Sequence, residues 1–153
     1  MDFPVNLEVR RQRTAERYPC QLCFLDKGDS SQVEELQGYI LETLENKESF
    51  FPLTPAEIGN ILTKEGGLAL GAFVGNQLIG FGAVYFPKDN ADNLGRDVGL
   101  DESELKQVVH LEVCFVHPDY RGNALQTKMG KILIKQVSLL NEENTELKKS
   151  IKG

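Results

Sequence analysis

Two adjoining stretches of this chain differ sharply in how their apolar positions repeat. Residues 108–116 are rich in β-branched and apolar side chains, the pattern of a buried strand. Pro118 ends that strand, because proline has no N–H to give to a ladder. From Ala124 the period changes, and Leu125, Met129, Ile132, Leu133, Val137 and Leu140 fall on one helical stripe. The pattern predicts a strand, a tight glycine-containing turn and a helix. A helix entered this way leaves several backbone N–H groups unpaired and pointing the same way. Such a terminus binds anions, phosphates in particular.

The rest of the chain has its own signals. Residues 1–19 are irregular and locally basic (Arg10, Arg11, Arg13, Arg17), which suggests an extended arm. Residues 20–25 read as a short strand and 26–29 as a turn. Ser31 and Glu34 form a capping box for a helix whose apolar face is Val33, Leu36, Ile40, Leu41 and Leu44. An aromatic loop at Phe50 and Phe51 leads to a second helix, with Thr54 as cap, Pro55 first and Glu57 closing the box. Ile58, Ile61 and Leu62 face inward, and Gly66 and Gly67 end that helix. Residues 68–74 and 77–86 are strands around Gly75-Asn76, a dipeptide suited to a hairpin turn. Residues 87–100 are a long polar loop rich in Asp and Asn, and 101–104 cap a short helical turn. Residues 141–153 are polar at almost every position and read as a frayed helix end or tail.

Length and charge narrow the function. With 153 residues the chain is expected to form one domain over 1–153. A net charge of −6 argues against a nucleic-acid partner and against an anionic membrane surface. No run approaches the roughly 18 apolar residues of a membrane span. The first residues lack a basic segment followed by an apolar one, so a cytoplasmic location is expected. Cys20 and Cys23 form C-x-x-C, but zinc needs two further ligands and Cys114 alone does not supply them. Reduced structural cysteines and no bound metal are the expectation.

The turn itself, Val116-His-Pro-Asp-Tyr-Arg-Gly122, resembles the acyl-CoA-binding signature of the GNAT superfamily of N-acetyltransferases. In that family a central strand ends in V-x-P-x-[YF]-[RQ]-G-x-G-x-[GA]. Every fixed position from Val116 to Gly122 matches, and His117 falls at a variable position. Two later positions depart from the pattern: Ala124 replaces a usual glycine, tolerable if its φ is negative, and Gln126 brings a long side chain where Gly or Ala is usual. The resemblance covers about residues 20–140. It implies an α/β fold with a mixed, largely antiparallel sheet flanked by helices, shortened at the C-terminal end. The strand that follows the loop helix in the family has no counterpart here. That leaves the edge of the 108–116 strand open, and with it a homodimer through that edge.

The resemblance also implies chemistry. Acetyl-CoA would be the co-substrate, held by the backbone of Cys114, Phe115 and Val116 along its pantetheine arm. Its pyrophosphate would lie on Arg121, Gly122, Asn123, Ala124, Leu125, Gln126 and Thr127. On an unbroken strand Val108, His110, Glu112, Cys114 and Val116 share one face. His110 stands where many family members carry a general base, and Glu112 is two residues on, so the pair are the candidate catalytic residues. Phe50, Phe51 and Tyr39 fall in the region that binds the acceptor, an amine of a small molecule or of a protein. His117 is read as a solvated loop residue. The competing reading is a non-catalytic CoA-binding or regulatory module.

Overall fold

The computed structural model describes residues 3–46, 50, 52–63, 66–86, 99 and 110–152, with the backbone alone for 110–113 and 140–152. Five strands form one sheet: β1 (Val5–Arg10), β2 (Arg17–Phe24), β3 (Gly67–Val74), β4 (Gln77–Tyr85) and β5 (His110–Val116). They lie in chain order, and every described pairing is antiparallel. Helices α1 (Ser30–Thr43) and α2 (Pro55–Ile61) cover one face, and α3 (Leu125–Lys152) covers the other.

Strand alternation explains the two cores once the register shift at Ile79, which lies between the pairs Ala72–Gly80 and Phe73–Leu78, is taken into account. On β4, Ile79 and Val84 join Leu22, Leu70, Met129 and Leu133 on the α3 side. Phe81 and Ala83 join Val33, Ile40, Ile58 and Phe115 on the α1–α2 side. α3 packs close because β4 offers glycines beneath it. A Cβ on Gly80 would lie 3.3 Å from Met129 Cε, and one on Gly82 would lie 3.3 Å from Leu133 Cδ1. Met129 is fully buried there, which is worth about 1.5–3 kcal/mol in area removed from water.

Several expectations change. Part of the segment read as an extended arm is β1, an edge strand paired along its whole length with β2. The partner explains the change, since a strand at a sheet edge needs no strong pattern of its own. Helix α1 lacks the expected Ser31–Glu34 box and has no side-chain cap at all. The box belongs instead to the one-turn helix before it, where Asp26 accepts from Gly28 N–H at 2.8 Å and Asp29 accepts from Asp26 N–H at 2.9 Å. The inward face of α1 includes Gln37, whose amide makes two bonds to the backbone of Leu53, at 2.9 and 2.8 Å. Helix α2 starts as read, with Thr54, Pro55 and Glu57 in the expected roles.

α3 runs on to Lys152, through the segment read as a polar tail. Among the described residues no strand follows it, and β5 is an edge of the sheet. Phe51, residues 87–98 and 100–109 lie outside the described residues, including the expected loop and the 101–104 turn. No described helix is long and apolar enough to cross a membrane.

Candidate active site

The start of α3, the end of β5 and the turn between them enclose a cavity of about 350 Å³. Volumes of this order suit a small ligand or part of a larger one. Cys114, Phe115, Val116, Arg121, Gly122, Asn123, Ala124, Leu125, Gln126 and Thr127 all line it. So the ten residues assigned to the cofactor come together on one wall. Ile40 of α1, Leu44 just after it and Phe50 form the apolar side opposite. Phe50 meets Phe115 edge to face at 5.9 Å.

The turn is built from local constraints. The residues Pro118–Tyr120 form one turn of 3-10 helix, capped by His117 Nδ1, which accepts from Asp119 N–H at 3.1 Å. Gly122 follows at φ +89, which a residue without Cβ adopts freely. Ala124 has φ +56, so the negative φ that would make this substitution harmless is not what the structure holds. A left-handed alanine costs about 1–2 kcal/mol. The first backbone bond of α3 is Lys128 N–H to the Ala124 carbonyl, at 3.0 Å. Among the described residues, the N–H groups of 122–127 have no acceptor. They form a cluster of open donors at a helix start, beside the exposed Arg121.

Two side chains tie this turn to its surroundings. Asn123 accepts from Arg10 N–H at 2.8 Å and donates to the carbonyls of Arg10 and Tyr120, at 2.9 and 2.8 Å. Gln12 N–H adds a bond to the Asp119 carbonyl at 2.8 Å. The end of β1 therefore braces the turn. This role of residues 10–12 was not read from the sequence, whose only signal there was a local excess of arginine. Gln126 donates from Nε2 to the Cys114 carbonyl at 2.9 Å, and the Cys114 thiol donates to the Gln126 carbonyl at 3.7 Å. The carbonyl that β5 presents to the cavity at Cys114 is thus already occupied by the chain's own amide. Burial pushes the Cys114 thiol up to about 11, so it stays protonated at neutral pH and is a poor nucleophile.

His110 and Glu112 lie on β5, and only their backbone is described. The register shifts between them: Val84 pairs with Leu111 while Ala83 pairs with Val113. Glu112 is the extra residue of a bulge, so the strict alternation behind one shared face stops there. Tyr39 lies away from the first cavity. It stacks on His117 with ring centroids 4.6 Å apart, and His117 is buried rather than solvated. Cys20 and Cys23 are three apart on β2 and carry free thiols. Cys20 belongs to the α3-side core, and burial pushes its thiol up to about 11. Among the described residues there is no cluster that holds a metal ion.

The fold is similar to that of solved acetyltransferase structures. A candidate acetyltransferase from Pyrococcus horikoshii superposes with a TM-score of 0.55 at 14% identity, over 79% of this chain and 76% of that one. A ribosomal-protein-alanine N-acetyltransferase from Brucella melitensis gives a TM-score of 0.49 at 18% identity, over 78% and 71%. The aminoglycoside N-acetyltransferase AAC(6')-Iy, solved with CoA, gives 0.49 at 19% identity, over 82% and 70%. No family model matches the sequence, and no curated protein matches it. The chain has the GNAT-like α/β fold that its sequence resembles.

Proposed function

We propose that this protein is an acyl-CoA-dependent N-acetyltransferase acting on an amine of a small molecule or a protein. One observation carries the reading: the open N–H groups of residues 122–127 and the edge of β5 line a single cavity. A pyrophosphate is the natural ligand for such donors, because a helix start favours negative charge and needs acceptors. Arg121 adds a fixed positive charge. The edge of β5 leads from that end of the cavity toward Glu112 and His110.

In the reaction an uncharged amine attacks the thioester carbonyl carbon. A C–N bond forms, the C–S bond breaks, and the electron pair leaves on sulfur. The ammonium first loses one proton to the base, the nitrogen sheds a second as the amide forms, and the departing thiolate takes up one of the two, so one proton passes to solvent overall. His110 or Glu112 would be the base. A bulge leaves its extra residue out of the regular ladder, so the Glu112 N–H would be a suitable donor for the developing oxyanion.

A specific observation favours a second reading, a CoA-binding module without turnover. The Gln126 side chain occupies the Cys114 carbonyl, and Ala124 strains the turn. Calorimetric titration with acetyl-CoA tests the shared premise. Micromolar binding supports both readings, and acetylation across a panel of amines then separates them. Absence of binding, together with an unchanged melting temperature at saturating acetyl-CoA, defeats both.

A further inference from the structure

A second cavity, of about 780 Å³, lies between α1, the β3–β4 hairpin and the turn that begins at His117. It meets the first only at Tyr120. Its floor carries donors. His117 is 8% exposed, and its Nδ1 accepts from Asp119 N–H, which places the ring proton of the neutral form on Nε2. Among the described residues Nε2 has no partner. Arg11 lies beside it with Nη2 on Asp119 at 3.2 Å, and its buried Nε has no acceptor among the described residues. Asp119 also holds Arg13 at 3.7 Å, so its own charge is neutralised by two arginines. A buried donor left unpaired costs about 1–3 kcal/mol. Arg11 Nε is one such donor, and with the His117 Nε2–H that opens beside it the cavity floor calls for an acceptor from outside the chain.

The rim carries the opposite chemistry. Glu35 and Glu42 line the cavity from exposed positions on α1, and among the described residues neither has an ion pair. They flank Tyr39 along the helix, about 10 Å apart at the α-helical rise. Tyr39 presents an exposed ring between them while its other face covers His117. An anionic group fits the floor, a cationic group fits the rim, and a compact body fits between.

We propose that this cavity binds a small zwitterion of the amino-acid or short-peptide type. Its carboxylate is taken by His117 Nε2–H beside the Arg11 guanidinium, and its ammonium lies between Glu35 and Glu42. The site is separate from the acyl-transfer cavity and does not depend on that reading. The chain has two histidines, so the ring signals of His117 are assigned in NMR spectra by comparison with His110→Gln. The full chain is titrated at neutral pH with alanylglycine, with acetate and with 1,4-diaminobutane. The dipeptide is expected to shift the His117 signals saturably with Kd below about 1 mM, and each half-ligand to bind roughly tenfold more weakly. Glu35→Gln with Glu42→Gln, both exposed and harmless to folding, should weaken the dipeptide about tenfold. No saturable shift up to about 10 mM, a shift unchanged in the double variant, or a half-ligand as tight as the dipeptide each overturns the proposal.

Discussion

Helices α2 and α3 both follow a turn, yet they begin in opposite ways. The seven residues of α2 start with every local device: the Thr54 hydroxyl, a proline in the first turn and Glu57 reaching back at 3.0 Å. The much longer α3 starts from a left-handed alanine, with the amides before its first bond left open. A short helix cannot persist without help at its ends, because nucleation is costly. α3 is held over its first turns by Leu125, Met129, Ile132 and Leu133 against the sheet. Packing there relieves the helix start of the need for a side-chain cap, and its donors stay open.

The contrast can be broken by experiment. The largest effect should come from Met129→Ala, which leaves a hole under α3. A loss of about 2–5 kcal/mol in urea unfolding is expected, far more than any cap change. A loss below about 1 kcal/mol would mean that packing does not hold α3.

The next effect distinguishes the two caps by pH. The turn before α3 is capped by an imidazole, and burial holds the His117 ring below its usual value of 6.5. The unfolded chain therefore takes up a proton first. Stability is fully present above about pH 6.5 and is lost as pH falls toward the folded value, with a slope of at most about 1.4 kcal/mol per pH unit. Unfolding midpoints between neutral and mildly acid pH should show this slope, and His117→Asn should flatten it. The Thr54 hydroxyl has no charge to gain, so that cap contributes no such slope.

Thr54→Ala should cost about 1 kcal/mol, the usual value of a lost N-cap. The same logic applied to α3 reverses the sign. Ala124→Gly should stabilise the chain by somewhat under 1 kcal/mol, since glycine removes the left-handed strain but adds freedom to the unfolded chain. Thermal melts of the two variants side by side would settle the signs. The smallest stability change is expected from Gln126→Ala, which removes one exposed hydrogen bond. Its informative readout is binding: acetyl-CoA should bind several-fold tighter once the Cys114 carbonyl is free. Unchanged affinity would mean that this carbonyl plays no part in holding the ligand.

How much was legible follows from the range of each signal. The start of α2 was readable because Thr54, Pro55 and Glu57 act within one turn. The β3–β4 hairpin was readable because Gly75, at φ +60, and Asn76 make the turn between two apolar strands. The wall of the first cavity was readable because its residues fall within 114–127 and carry a recognisable order of residue types. What failed depended on distant partners. β1 is a strand because β2 is beside it. His117 is buried because Tyr39, far off in sequence, lies over it. Tyr39 was grouped with Phe50 and Phe51 because the resemblance implies that all three bind the acceptor, but Phe50 joins Ile40 at the first cavity while Tyr39, on another side of α1, lines the second.

The amino-acid sequence by itself determined the strand–turn–helix, the apolar stripe of α3 and the hairpin between β3 and β4. These are local consequences of side-chain period, proline and glycine. Only the tertiary structure decided that Ala124 is left-handed, that Gln126 closes on Cys114, and that a second cavity opens under Tyr39. Each of those depends on a contact made when the sheet and its helices assemble, and such contacts have no signature in the residues next to them.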